Sequence, residues 1–138
     1  MNPFQAYQQP TASGTTRIDI ILGLYNVALD RLERAQSALS ENDAVQAKQL
    51  LADAQLSISG LGGGLDLSQG EMPLNLLRLY EFVAECIEVG SSEMLNGALK
   101  VLRILKEGFE EIRPEAVELE RNGTVPSVDC VRLLHATA

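Results

Sequence analysis

Apolar residues recur at steps of three and four from Ile18 onward, through Ile21, Leu22, Tyr25, Leu29, Leu32 and Leu39, with Gln36 as the one polar member of the stripe. That period belongs to an α-helix with one buried face. Thr16 and Asp19 have the spacing of a capping box, a hydroxyl to accept from first-turn amides and a carboxylate to reach back, so the helix is predicted to begin there and to end near Ser40-Glu41-Asn42. Asp43 can cap a second helix whose narrower stripe is Ala47, Leu50, Leu51, Ala54, Ile58 and Leu61. Gly60, Gly62, Gly63 and Gly64 at its end each cost about 1 kcal/mol relative to Ala, which predicts a frayed or bent last turn.

After the polar link from Asp66 to Gly70, Glu71 and Pro73 suit a first turn, and a third helix follows from Leu74 to Val89. Its apolar residues spread over more than half the circumference, the pattern of a helix surrounded by neighbours. Gly90-Ser91-Ser92 reads as a turn with a cap. The fourth helix carries Met94, Leu95, Ala98, Val101, Leu102, Leu105, Phe109 and Ile112 on one face. Pro114 is expected to kink or end it, with one or two more turns over residues 115 to 121 and a break at Asn122-Gly123. The expected organisation is therefore an extended N-terminal arm over residues 1 to 15, a bundle over 16 to 121, and a tail over 122 to 138 whose Val128, Val131, Leu133 and Leu134 allow a short docking helix. Four amphipathic helices with short links pack most simply as an all-α, antiparallel up-and-down four-helix bundle.

Composition agrees with helix packing and removes several functions. Only 4% of residues are aromatic while 46% are hydrophobic, so the core is built from aliphatic side chains. Eleven basic against nineteen acidic residues give a net charge of −8 with no basic cluster, which argues against nucleic acid and against anionic membranes as partners. No membrane span or signal peptide is visible, so a cytoplasmic location is expected. Cys86 and Cys130 have neither CxxC nor zinc spacing and read as free thiols.

Catalytic chemistry finds no foothold. A metal site in a bundle needs His and Glu on facing helices, and the single histidine, His135, stands in the tail. Cys86 and the serines have no plausible base, a tail His135 acting on Cys130 would be poorly held, and the glycines of Leu61-Gly62-Gly63-Gly64-Leu65-Asp66 lack both the preceding strand and the Lys-Ser/Thr of a phosphate loop. The acidic strip from Glu107 to Glu120 lacks calcium-loop spacing and reads as a solvated face. No catalytic, cofactor-binding or metal-binding residue is assigned, and the chain is read as a non-enzyme that uses no cofactor.

The unusual feature is apolar surplus. Ile20, Leu24 and Val27 lie on the side of the first helix opposite the core stripe. Two readings cover them: an intramolecular cover by the arm or the tail, or a groove for an amphipathic segment of another protein. A weak homodimer through the same face is the competing structural role.

The ordered motifs resemble a known family. Asn2-Pro3-Phe4-Gln5-Ala6-Tyr7-Gln8-Gln9 is similar to the opening N-P-Y-x-x-Y-Q-Q of the bacterial flagellar secretion chaperones, the FliS family, with Phe4 in place of the first Tyr. Leu22-Gly23-Leu24-Tyr25-Asn26-Val27-Ala28 resembles that family's L-M-L-Y-D-G-A. Ala54-Gln55 with Ile58 and Leu61, then Leu65-Asp66, Gly70-Glu71, Asn75-Leu76 and Leu79-Tyr80, follow its pattern in order. The chain departs from it at Ser13-Gly14, Gly23, Val27, the glycine cluster, and Phe109 where the family often has Trp. The resemblance implies a chaperone that binds the C-terminal, helix-forming segment of flagellin, keeps it from polymerising and delivers it to the flagellar export gate. It also implies that Phe4 and Tyr7 cover part of the cargo groove until flagellin displaces them. Tyr25, Asn75 and Tyr80 match motif positions, where partner contact and plain core packing are both open, and Ile20, Leu24 and Val27 are the expected groove.

Overall fold

The computed structural model describes residues 15–123. Four helices account for nearly all of them: α1 (Arg17–Ser40), α2 (Ala44–Gly63), α3 (Glu71–Val89) and α4 (Ser92–Arg121), with a short 3-10 turn, Leu67–Gln69, leading into α3. Each helix packs beside the next in sequence and α4 closes the ring against α1, so α1 faces α3, and α2 faces α4, only across the diagonals. This is the expected up-and-down bundle, and no strand occurs among the described residues. The expected arm, apart from Thr15, and the expected C-terminal docking helix lie outside the described residues.

Local chemistry accounts for most helix ends. Asp43 accepts a hydrogen bond from the Gln46 amide at 3.1 Å, and Ser91 accepts from the Met94 amide at 3.2 Å, so α2 and α4 carry the caps that their sequences predict. Asn42, at φ 59°, and Gly90, at φ 73°, turn the chain through the left-handed region after α1 and α3.

The start of α1 differs from the expected capping box. Thr16 makes no side-chain cap. Its hydroxyl instead donates to Asp19 at 3.0 Å, and Asp19 is held from the other side by Arg113 of α4, through Nε at 2.6 Å and Nη2 at 3.0 Å. The Arg17 amide donates to both carboxylate oxygens of Glu120, each at 3.0 Å. The N-terminus of α1 is thus capped by a residue from the last turn of α4, where the carboxylate meets the positive end of the helix dipole.

Gly60, Gly62 and Pro114 do not end their helices. The helix α2 runs through Gly60 and Gly62 to Gly63, and α4 runs through Pro114 to Arg121. Burial explains both, since Ile58, Leu61 and Leu65 anchor the end of α2, while Ala116 and Val117 anchor α4 beyond the proline. The α1–α2 register follows from the Arg31–Asp53 ion pair at 3.7 Å. Two and three turns further along the antiparallel pair, Leu24 and Ile20 come level with Gly60 and Gly64. A further correction concerns α3, which is not surrounded. A square of four helices covers only the inward side of each, and Leu74, Leu79, Phe82 and Val89 remain exposed.

Leu32, Leu95, Leu102 and Val83 fill the centre of the core with Tyr25. The Tyr25 ring lies 5.6 Å from that of Phe109, and its hydroxyl meets the Tyr80 hydroxyl at 2.6 Å across the α1–α3 diagonal.

Backbone geometry separates the glycines into opposite predictions. Gly70 sits at φ 101°, ψ −150°, a region that essentially only glycine occupies, so Gly70→Ala is expected to lose about 1–3 kcal/mol. Gly23 lies mid-helix with nothing within 4 Å of an added Cβ, so Gly23→Ala is expected to gain about 0.4–1 kcal/mol. Urea unfolding midpoints at unchanged m-value check both.

Candidate protein-binding surface

The sides of α3 and α4 can be assigned from their polar contacts. Gln55 of α2 donates to the Ala84 carbonyl at 2.9 Å, and Leu77 lies nearest Gly62, so Leu77 and Ala84 mark the α2 side of α3. The other side of α3 carries Asn75, Leu79, Phe82, Cys86 and Val89, at alternating steps of four and three, and adjoins α4. On α4, Arg103 pairs with Glu33 at 3.2 Å and Gln36 donates to Asn96 at 2.7 Å, which marks its α1 side. Met94, Gly97, Val101, Ile104, Leu105 and Gly108 therefore line the side toward α3.

Two helices meet here with apolar residues on both banks of the seam. Phe82 is 43% exposed, Val89 65% and Ile104 61%, while Met94, Val101 and Leu105 are half-buried between them and the core. A cavity of about 280 Å³ opens beside them on α4, lined by Ile104, Leu105, Gly108, Phe109 and Ile112 together with Glu107 and Glu111. This seam is an apolar groove with an acidic margin. A polar hollow of about 510 Å³ between α1 and α4 differs in kind, because its charges are paired, Arg103 with Glu33 across it and Lys106 with Glu110 along α4.

The residues singled out from the sequence fall into three groups. Ile20 and Leu24 are half-buried along the α1–α2 seam and Val27 is 38% exposed, so the expected groove on α1 survives only as a thin strip. Tyr25 and Tyr80 are core residues joined through their hydroxyls and present no surface to a partner. Asn75 is exposed and stands at the head of the α3 stripe. Phe4 and Tyr7 lie outside the described residues. Sequence reasoning missed Phe82, Val89 and Ile104 as surface residues. The heptad-like spacing from Asn75 to Val89 was present in the sequence, but a stripe of that width cannot by itself be told from a buried one.

A family model, that of the flagellar protein FliS, matches residues 1–116. The chain belongs to the FliS family. Comparisons with curated proteins and with solved structures found no match. FliS proteins are flagellar chaperones, which assigns the chain a chaperone role in flagellum biogenesis with proteins as its partners. In this FliS chain no helix among the described residues is long and apolar enough to cross a membrane. No three His, Cys, Asp or Glu side chains among the described residues gather as a metal site.

Ionisable groups report on packing here. Burial pushes the Cys86 thiol above its usual range, with Glu85 adding to the shift, so it stays protonated and unreactive at neutral pH. Thiol labelling of the native protein is expected to proceed at the same rate in Cys86→Ala as in the parent chain. The Arg113 hydrogen bond holds the Asp19 carboxyl below its ordinary 3.8. A group depressed on folding stabilises above its unfolded pKa and loses that contribution as pH falls through the folded value. Asp19→Asn is therefore expected to be less stable at neutral pH, with a flatter decline below about pH 4 in thermal melts across an acid series.

Proposed function

We propose that this chain is a cytoplasmic export chaperone for flagellin. It holds the C-terminal, helix-forming segment of flagellin, prevents premature polymerisation, and hands it to the flagellar type III export gate. The observation that carries this reading is the open α3–α4 groove, in a chain of a flagellar chaperone family. An amphipathic helix lays anchors at i, i+3, i+4 and i+7 into such a groove, and Leu79, Phe82, Val89 and Ile104 offer matching apolar contacts along it.

Physical chemistry fits the task. A segment that folds on binding gives up chain entropy at that moment and recovers it by burying apolar surface along an extended partner. No cofactor or nucleotide is needed for holding and release. The strip of Ile20, Leu24 and Val27 supplies a second contact for cargo that wraps around the bundle, with Asn75 at the end of the main groove. Phe4 and Tyr7 act as a displaceable cover over part of this surface.

Fluorescence anisotropy with a labelled peptide of the flagellin C-terminal segment tests the proposal. Phe82→Glu and Ile104→Glu are each expected to weaken binding at least tenfold, about 1.4 kcal/mol, without moving the thermal midpoint, because both side chains are exposed. Val27→Glu is expected to weaken it less. A peptide that fails to bind the parent chain, or binds both groove variants equally well, overturns the reading.

A further inference from the structure

The α3–α4 groove has a candidate occupant within the chain itself. Residues 124–138 continue from the end of α4, beyond the 1–116 covered by the family match, so they are a feature of this chain and not of the shared pattern. Pro126 can open a helix, and Val128, Val131 and Leu134 then recur at three-residue steps on one side of it.

Reach and charge point the same way. Ile112, at one end of the cavity, lies nine residues before Arg121, about 13.5 Å along the helix at 1.5 Å per residue. Asn122 and Gly123, the latter at φ 66°, turn the chain off the end of α4. Residues 124 to 126, if extended, return roughly 10 Å toward Ile112, and a helix over 127 to 138 would then cover about 18 Å more. That length lays Val131 and Leu134 over Ile112 and Gly108 and ends near Ile104. Arg132 and His135 would stand beside Glu107 and Glu111, whereas Asp129 is the segment's single acid.

We propose that residues 126–138 dock as a short helix in the α3–α4 groove of the same chain and must leave before cargo can enter. Only the competition with cargo rests on the chaperone reading above. Self-docking does not depend on it.

Native Cys130 provides the test in the full-length protein. Glu111→Cys and Asn26→Cys each add one exposed thiol; the first lies at the cavity, and the second lines the polar hollow on the α1 side of the same stretch of α4, together with Glu110. With a short bis-maleimide, Glu111→Cys is expected to give an intramolecular cross-link to Cys130, and Asn26→Cys little or none. Adding Cys130→Ser, or Val131→Asp with Leu134→Asp, should abolish the Glu111→Cys product. Equal cross-linking at both positions overturns self-docking, and a cross-linked dimer assigns the groove to a second copy instead.

These measurements involve no cargo, so their failure is distinct from failure of the flagellin reading. In the anisotropy assay, Val131→Asp with Leu134→Asp is expected to tighten peptide binding about fivefold, the gain if the tail fills the groove four-fifths of the time. Unchanged affinity overturns the competition, and weakened affinity shows that the tail grips cargo rather than excluding it.

Discussion

The bundle turns on the packing around Tyr25. Its ring sits against Phe109 of α4 and its hydroxyl meets that of Tyr80 on α3, so one side chain of α1 contacts both the neighbouring helix and the diagonal one. A hydroxyl buried this deeply is costly without a partner, and two tyrosines that satisfy each other permit only a narrow range of helix placements. Leucine packing alone tolerates sliding and rotation, because dispersion contacts have little direction. The shared hydrogen bond adds direction to an otherwise aliphatic centre.

With the centre so defined, the outer surface follows. Four helices in a square each bury one side, and any apolar residue beyond that side is left for another molecule or for the chain's own extensions. On α1 the excess is largely absorbed, with Ile20 and Leu24 half-buried along the seam with α2. On α3 and α4 it is not, and Phe82, Val89 and Ile104 stand open. A chaperone whose partners are proteins requires such an excess, and its place on the bundle is set by how the four helices pack.

The polar end of the molecule adds a second constraint. Glu120 and Arg113 of α4 hold the first turn of α1 at Arg17 and Asp19. This joins the last described turn to the first, closing the ring of helices where sequence-adjacent links cannot. It also explains why α4 remains helical past Pro114: the turns beyond the proline carry both the buried Ala116 and Val117 and the carboxylate that caps α1.

Much of this was legible in the residues themselves. Periodicity located all four helices, Asp43 and Ser91 marked two of their starts, and the ordered motifs pointed to the family, because these signals are local and depend on neighbours within a turn or two along the chain. Long-range partners decided the rest. Glu120, 103 residues from Arg17, replaced the expected capping box. Burial carried α2 through its glycines, and square packing exposed a face of α3 that its composition alone had suggested was surrounded. Sequence pattern determines which residues are apolar and where helices run, since both are properties of short segments. Which apolar faces meet one another, and which remain open, is settled only when the four helices pack, because that depends on side-chain volume and register between segments far apart in the chain.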